Sequence, residues 1–340
     1  MIRVGLVGAG FIGRNHFNQY EKMTDRARVV ALCDADADRR AGDWSKVGGN
    51  LADAQGTKRD LGNIRPYTDW RQLVDESAID LIVICVPTYL HRDITLAALK
   101  AGKHVLCEKP MALTVEQCDE MIAAARPPAR FMIAQCIRFW PEYVWLKQTM
   151  DEGMFGPLRA IHLRRQTSAP TYSLDNWITN PELSGGAVLD LHVHDVDYCL
   201  HLLGRPRSVF AQGYQRSGGG VDRVHASWSY GRSIVVQIEA FWDLHPGFTF
   251  NMGFTAVFED ASVMWDSKTG VPLTVYQRDR DPQTPEMPTE DAYYGEINHL
   301  VSCIERGTDP TITTPRESRD AVAIALAEKK SALSGQIVSI

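Results

Sequence analysis

The sequence predicts an α/β fold in two parts, and three observations predict it. Strand and helix signals alternate through the first third of the chain, a glycine-rich turn joins the first such pair, and beyond residue 130 the pattern changes to long period-two stretches. With 340 residues and a hydrophobic composition of 44%, the chain carries apolar material for two ordinary cores. The division expected is 1–126 and 127–340, with Pro127-Pro128 closing the first part.

The first strand, Ile2 to Val7, runs into Gly8-Ala9-Gly10-Phe11-Ile12-Gly13, and a second apolar run, Arg28 to Cys33, ends at Asp34. A strand, a G-x-G-x-x-G turn opening a helix, and an acid about 20 residues further on are together the fingerprint of a dinucleotide-binding Rossmann domain. Gly8 permits the tight turn, Gly10 lets the backbone approach a pyrophosphate, and Gly13 allows helix and strand to pack closely. Free N–H groups at the helix start, where Phe11 and Ile12 stand, suit the phosphates. Asp34 is placed to accept hydrogen bonds from ribose hydroxyls and to repel a 2′-phosphate, so NAD is the cofactor expected, although Arg39 and Arg40 weaken the preference over NADP.

Leu81 to Val86 is apolar throughout, as a parallel strand covered on both faces should be, and Pro87 stops it. Pro87, Thr88 and His91, just past that strand, are expected at the cofactor. A helix fits His91 to Lys100, ended by Gly102, and the strand Lys103 to Cys107 follows. Glu108-Lys109-Pro110 therefore sits at the carboxyl end of a strand, where open α/β sheets bind ligands. An ammonium there can hydrogen-bond a reacting oxygen and stabilise charge that builds on it. Thr114 and Gln117 form a capping box for a helix running to about Ala125.

In the second part, Ile234, Val236, Ile238, Ala240 and Trp242 alternate with Val235, Gln237, Glu239 and Phe241. An α+β domain with a large open, mostly antiparallel sheet is implied, and apolar residues on both faces predict a homodimer or homotetramer through that sheet. Residues 270–292, with four prolines, read as a long surface loop, and a helical pattern from Glu317 to Ser334 closes the chain. Leu189 to Leu203 reads as one helix, on which Asp190, His194, Asp197 and His201 fall within roughly 60° of one another. Asp190 and His194, four apart, make a base with an orienting acid. His192 and His194 point about 200° apart on a helix and cannot share an ion, so no metal site is expected.

A net charge of -6 with no dense Lys/Arg run gives no footprint for a nucleic acid or an anionic membrane. No apolar run reaches the roughly 20 residues of a membrane span, and the first strand begins too early for a cleavable leader, so a cytoplasmic protein is expected. Seven scattered cysteines without a CxxC pair read as buried thiols.

With these segments in view, the chain resembles the Gfo/Idh/MocA oxidoreductases, a family that includes inositol dehydrogenases and glucose-fructose oxidoreductase. The resemblance rests on the N-terminal fingerprint, on Ala101-Gly102-Lys103-His104-Val105-Leu106-Cys107-Glu108-Lys109-Pro110, on Gly185-Gly186 followed by Asp190 and His194, and on Ser331-Ala332-Leu333-Ser334-Gly335. It implies that Lys109 is catalytic, that Glu108 lies near the nicotinamide ribose, and that the Lys109-Pro110 bond is cis. It also implies hydride transfer between nicotinamide and a secondary alcohol of a sugar, cyclitol or related polyol. Arg138, Trp140, Asn176 and Trp177, near the motif segments, together with Asp190 are expected to line such a substrate, and at most one of Arg164 and Arg165 can serve it. Two alternatives stand beside this reading: an NAD-retaining glycosidase or lyase working through transient sugar oxidation, and a non-catalytic dinucleotide sensor.

Overall fold

The computed structural model of the chain describes residues 1–49, 57–215, 220–231 and 233–340. The chain forms two compact units, one made of Met1–Cys136, Tyr172–Trp177 and Asp291–Arg319, the other of Ile137–Thr171, Ile178–Glu290 and Asp320–Ile340.

The first unit is built on six parallel strands: β1 (Ile2–Val7), β2 (Ala27–Cys33), β3 (Arg65–Tyr67), β4 (Leu81–Ile84), β5 (His104–Glu108) and β6 (Phe131–Ala134). Their order is β3-β2-β1-β4-β5-β6, so the direction of winding reverses between β1 and β4. A crevice opens at the carboxyl ends of the strands at such a reversal, and the glycine turn leaves β1 there. The four residues of β4 are at most 1% exposed, which is why that run is apolar without alternation. The strand stops at Ile84, two residues short of the apolar run, although Cys85 still donates its N–H to the Val7 carbonyl at 2.7 Å.

Val4 and Leu6 of β1, Leu81 and Val83 of β4, Leu106 of β5 and Met132 of β6 share one core cluster with Phe17 and Tyr20 of the helix Phe11–Tyr20. Ile297, Leu300 and Val301, from the helix Ala292–Arg306, complete it. Each such side chain contributes about 1.5–3 kcal/mol on burial, so the late helix is a structural member of this unit. The sheet also continues past the Pro127–Pro128 turn, where the sequence closes the first part, with β6 pairing beside β5. The prolines form a tight connection between the helix Val115–Ala124 and β6. Thr114 Oγ1 accepts the Gln117 N–H at 3.2 Å, and Gln117 Oε1 accepts the Leu113 N–H at 3.2 Å, so the capping box forms with its return bond one residue early.

The second unit carries β7 (Leu158–Ser168), β8 (Ser208–Gln215), β9 (Val221–Ser229), β10 (Val235–Leu244), β11 (Asn251–Phe258), β12 (Ser262–Asp266), β13 (Thr274–Tyr276) and β14 (Val338–Ser339). They form one sheet in the order β13-β12-β11-β7-β10-β9-β8-β14, antiparallel except where β7 and β10 run parallel. Ile161 and Leu163 of β7 and Val236, Ile238 and Ala240 of β10 are buried, while Val235, Val257, Met264 and Tyr276 stay exposed. Period-two alternation therefore separates a packed face from an open one.

Two expectations change here. The stretch 270–292 is not a loop throughout: β13 pairs with β12, and Leu273 and Val275 are buried. Three residues between prolines are too few to show a period. The helix expected over Leu189–Leu203 opens with a π turn, Val188–His192, before the α-helix Val193–Leu203. Hydrogen bonds five residues back widen the turn between Asp190 and His194, so the angles of an unbroken α-helix do not hold across it. All seven cysteines are buried and free of disulfides. Among the described residues no helix is long and apolar enough to cross a membrane.

Candidate functional site

The glycine turn has the shape of an anion cradle. Gly8 has φ +94° and its missing side chain would overlap the Cys85 carbonyl; a side chain on Gly13 would overlap the Gly8 carbonyl. Gly10, by contrast, opens on space, with the Arg39 guanidinium the nearest group at 3.9 Å from where a Cβ would stand. Gly10 caps the helix Phe11–Tyr20 without a side-chain hydrogen bond and no acid occupies the first turn, which leaves its N–H groups suited to a phosphate. Phe11 packs edge-on against Tyr172, 6.1 Å between ring centres. Tyr172 belongs to the short segment that joins this unit from far along the chain, and nothing in the sequence signals it.

Asp34 is buried and ties the turn to the second strand. Its Oδ2 accepts the Ala9 N–H at 2.7 Å and its Oδ1 accepts the Asp36 N–H at 2.9 Å. A carboxylate offers about four acceptor positions, so both oxygens keep capacity for ribose hydroxyls. Arg40 donates to the carbonyls of Asp34 and Ala35, each at 2.7 Å, so this arginine is spent on backbone. These residues fit a dinucleotide whose ribose carries no 2′-phosphate. Asp34→Asn replaces a charged acceptor by a neutral amide; it is expected to lower stability by about 1–2 kcal/mol, to raise KM for NAD about tenfold, and to narrow the preference over NADP, which steady-state kinetics with both cofactors measures.

Beyond β4, Pro87 caps a short turn, Thr88–Leu90, and Thr88 is buried. His91 departs from expectation. Its Nδ1 lies 2.9 Å from the Pro110 carbonyl and its Nε2 2.9 Å from the Val86 carbonyl, so both ring nitrogens face backbone oxygens, one of them donating, and the ring is turned to the backbone. Burial pulls its pKa below the ordinary value against the pull of the two carbonyls. His91 instead braces the end of β4 against the turn after β5.

That turn carries Glu108, which ends β5, then Lys109, then a cis Lys109-Pro110 bond. Glu108 is buried, with Oε1 2.7 Å from His16 Nε2 and Oε2 accepting the Lys109 N–H at 3.1 Å. Lys109 is half-buried at the carboxyl end of β5. Because Glu108 pairs with Ala134, the residue just past the neighbouring strand is Gln135, which is 1% exposed with neither amide atom hydrogen-bonded among the described residues. Gln135 was legible only as the first residue past a strand end.

In the second unit, Asp190 lies in the π turn and His194 at the start of the α-helix, both half-buried. Asp197, counted in the same stripe, is fully buried and takes the Arg138 guanidinium at 2.7 and 2.8 Å, with His201 Nδ1 3.3 Å from the same arginine. Arg138, expected against substrate, is thus 3% exposed and committed to an ion pair. Such a pair is retained because breaking it strands a buried charge. Arg165 is paired with Asp195 at 2.9 and 3.0 Å and Arg164 with Asp266 at 2.5 Å, so neither is a ready anion site. His192 Nε2 lies 2.8 Å from Glu328, which also accepts from the Trp228 indole, so its place is structural. Trp140 is half-buried at the start of the helix Pro141–Asp151. Asn176 and Trp177 fall in the segment that joins the first unit, Asn176 exposed with φ 54°.

A parallel sheet of this order with a glycine cradle at its reversal point and an acid closing the second strand defines a dinucleotide-binding protein. Residues 2–133 match the family model described as the oxidoreductase family with an NAD-binding Rossmann fold, and residues 143–264 match that of the GFO/IDH/MocA C-terminal domain. The chain belongs to the Gfo/Idh/MocA oxidoreductase family, and its first unit carries that family's NAD-binding Rossmann fold.

It is similar to inositol 2-dehydrogenase 2 of Saccharopolyspora erythraea, 30% identical over 60% of this chain and 54% of the relative. The chain spans about half the length of the first curated relatives it matches, 52% and 54%. Similarity to 1,5-anhydro-D-fructose reductase of Ensifer adhaerens, at 28% identity, covers 100% of this chain and 99% of that one. Levoglucosan dehydrogenase in complex with NADH shares the fold, with a TM-score of 0.84 at 22% identity over 100% of this chain and 99% of the other.

Proposed function

We propose that this protein is an NAD-dependent dehydrogenase that moves a hydride between nicotinamide and a secondary alcohol of a sugar, cyclitol or related polyol. The observation that carries the reading is Lys109 at the carboxyl end of β5, on a turn fixed by Glu108 in the sheet whose reversal point holds the glycine cradle. Relatives named for inositol, anhydro-sugar and levoglucosan chemistry support the substrate class.

NAD, when bound, supplies the carbon that accepts or returns the hydride. The protein's own work is to place and polarise the alcohol. Lys109 donates a hydrogen bond to the reacting oxygen and offsets the charge that develops there. His194 takes the hydroxyl proton, with Asp190 holding the imidazole in the productive orientation. Trp140, Asn176, Trp177 and Asp190 meet the polyol through flat apolar faces and hydrogen bonds. Arg138 fixes the helix that carries His194 through Asp197.

The first unit binds NAD; the second carries the surface for a homodimer or homotetramer, through the exposed Val235, Val257, Met264 and Tyr276 of the sheet. A cytoplasmic location suits the free buried thiols.

Reduction of added NAD by a panel of polyols, followed by absorbance, tests the reading. His194→Asn is expected to lower kcat about 10²-fold with little change in NAD affinity, measured by steady-state kinetics beside a binding titration. Unchanged kcat in the variant removes His194 as the base. If the wild type binds NAD and turns over none of the panel, a sensor or a cofactor-retaining lyase takes its place.

A further inference from the structure

Behind the Glu108–Lys109 turn lies a buried cluster of two acids and a histidine. Glu296, on the helix Ala292–Arg306, and His16, on the helix Phe11–Tyr20, are both 0% exposed, and Glu108 is 7% exposed. One oxygen from each carboxyl and one imidazole nitrogen lie within 4.8 Å of one another. His16 Nε2 and the Lys109 N–H occupy the two oxygens of Glu108, whereas neither oxygen of Glu296 meets a hydrogen-bond partner among the described residues.

An ionised carboxylate buried without a donor costs several kcal/mol, and a second carboxylate in the same site makes simultaneous ionisation costlier still. Burial, and then the charge of Glu108, push the Glu296 carboxyl well above the usual range. The other titratable groups coupled to Glu296 are Tyr20 on the helix of His16, Cys85 after β4, and Tyr293 on Glu296's own helix. Burial pushes all three up, so they stay neutral, and the one base of the cluster, His16, has its Nε2 against Glu108.

We propose that Glu296 is kept as the neutral acid and shares its proton with Glu108, making it the positioning residue that holds the Glu108–Lys109 turn. A protonated Glu296 supplies the donor that an acceptor-only pair lacks. Glu108 is then held by His16, by the Lys109 N–H and by the Glu296 proton, and cannot rotate away from the backbone that carries Lys109.

An acid whose pKa rises on folding binds more protons folded than unfolded. Its stability contribution therefore declines as pH climbs from the ordinary carboxyl range, about 4.3, towards the raised value. Glu296→Gln keeps the shape and is neutral at every pH. Thermal unfolding of the full-length wild type and E296Q is expected to give similar melting near about pH 5 and a variant that melts a few degrees higher near about pH 9. The infrared band of a protonated carboxylic acid in the wild type is expected to vanish in E296Q.

The catalytic half of the claim rests on the dehydrogenase reading. There, E296A is expected to lose about tenfold in kcat with KM unchanged, E296Q to restore it, and the alkaline fall of kcat in the wild type to be absent in E296Q. The unfolding and infrared measurements decide the proton whether or not a polyol is turned over. A variant that melts lower than wild type at every pH with no carboxyl band lost overturns the proposal. So does a stoichiometric divalent metal in the purified wild type that is missing from E296Q, since the same three donors would then hold an ion.

Discussion

Lys109→Ala is expected to lower kcat for polyol oxidation about 10³-fold, close to 4 kcal/mol of transition-state stabilisation, while NAD binding stays within about twofold. The asymmetry follows from where the residue sits. In the proposed site the glycine cradle and Asp34 take the cofactor's phosphates and ribose, while Lys109 stands at the end of a different strand. In the proposed reaction its ammonium meets the substrate oxygen, and its worth rises as that oxygen gains charge. The backbone N–H that Glu108 holds survives the substitution, so the turn is retained. Stopped-flow turnover and a fluorescence titration with NAD on the same preparation separate the two effects. A variant that keeps full kcat shows that the reacting oxygen is stabilised by another group.

Gly13→Ala is expected to weaken NAD binding about 10²-fold and to strain the native state by roughly 3 kcal/mol. The added Cβ would overlap the Gly8 carbonyl oxygen and stand 2.9 Å from its carbon and 3.3 Å from Cys85 Cβ. The first obstacle is backbone, which no rotamer change can move aside. Relief requires the Gly8 peptide to shift, and with it the turn that aims the helix N–H groups at a phosphate. Gly102, where an added Cβ meets nothing within 4 Å, provides the control. Its φ of +73° gives Gly102→Ala a conformational cost without a clash, so NAD affinity should be unchanged there. Isothermal titration with NAD and thermal unfolding of both variants measure the difference.

The parts of the site that the sequence shows are those whose geometry is local. Gly8, Gly10, Gly13 and Asp34 lie on one strand–turn–helix–strand unit, and the Glu108-Lys109-Pro110 turn follows its strand directly, so spacing alone places them. The alternation in β10 likewise reports its own two faces. What escapes the sequence is set by contacts between distant segments. Glu296 is far from Glu108 along the chain, and the packing of Ile297, Leu300 and Val301 into the first core brings it there.

Arg138 shows the same limit in reverse. An arginine near functional motifs invites a substrate role, but Asp197 one helix away takes its charge. His91 is in the right place for a cofactor contact, yet its ring nitrogens face two backbone carbonyls that no side-chain pattern records. The π turn at Val188–His192 is hidden because the apolar periodicity of the following α-helix masks a single widened turn.

The central claim, direct hydride transfer from a polyol carbon to NAD, is tested most directly with a substrate deuterated at the carbinol carbon. A polyol found active in the panel, labelled at that carbon and incubated with the wild type and NAD, should yield reduced nicotinamide carrying one deuterium for each ketone formed, by mass spectrometry. Substrate converted with its deuterium retained or washed into water, and no reduced cofactor released, would contradict it.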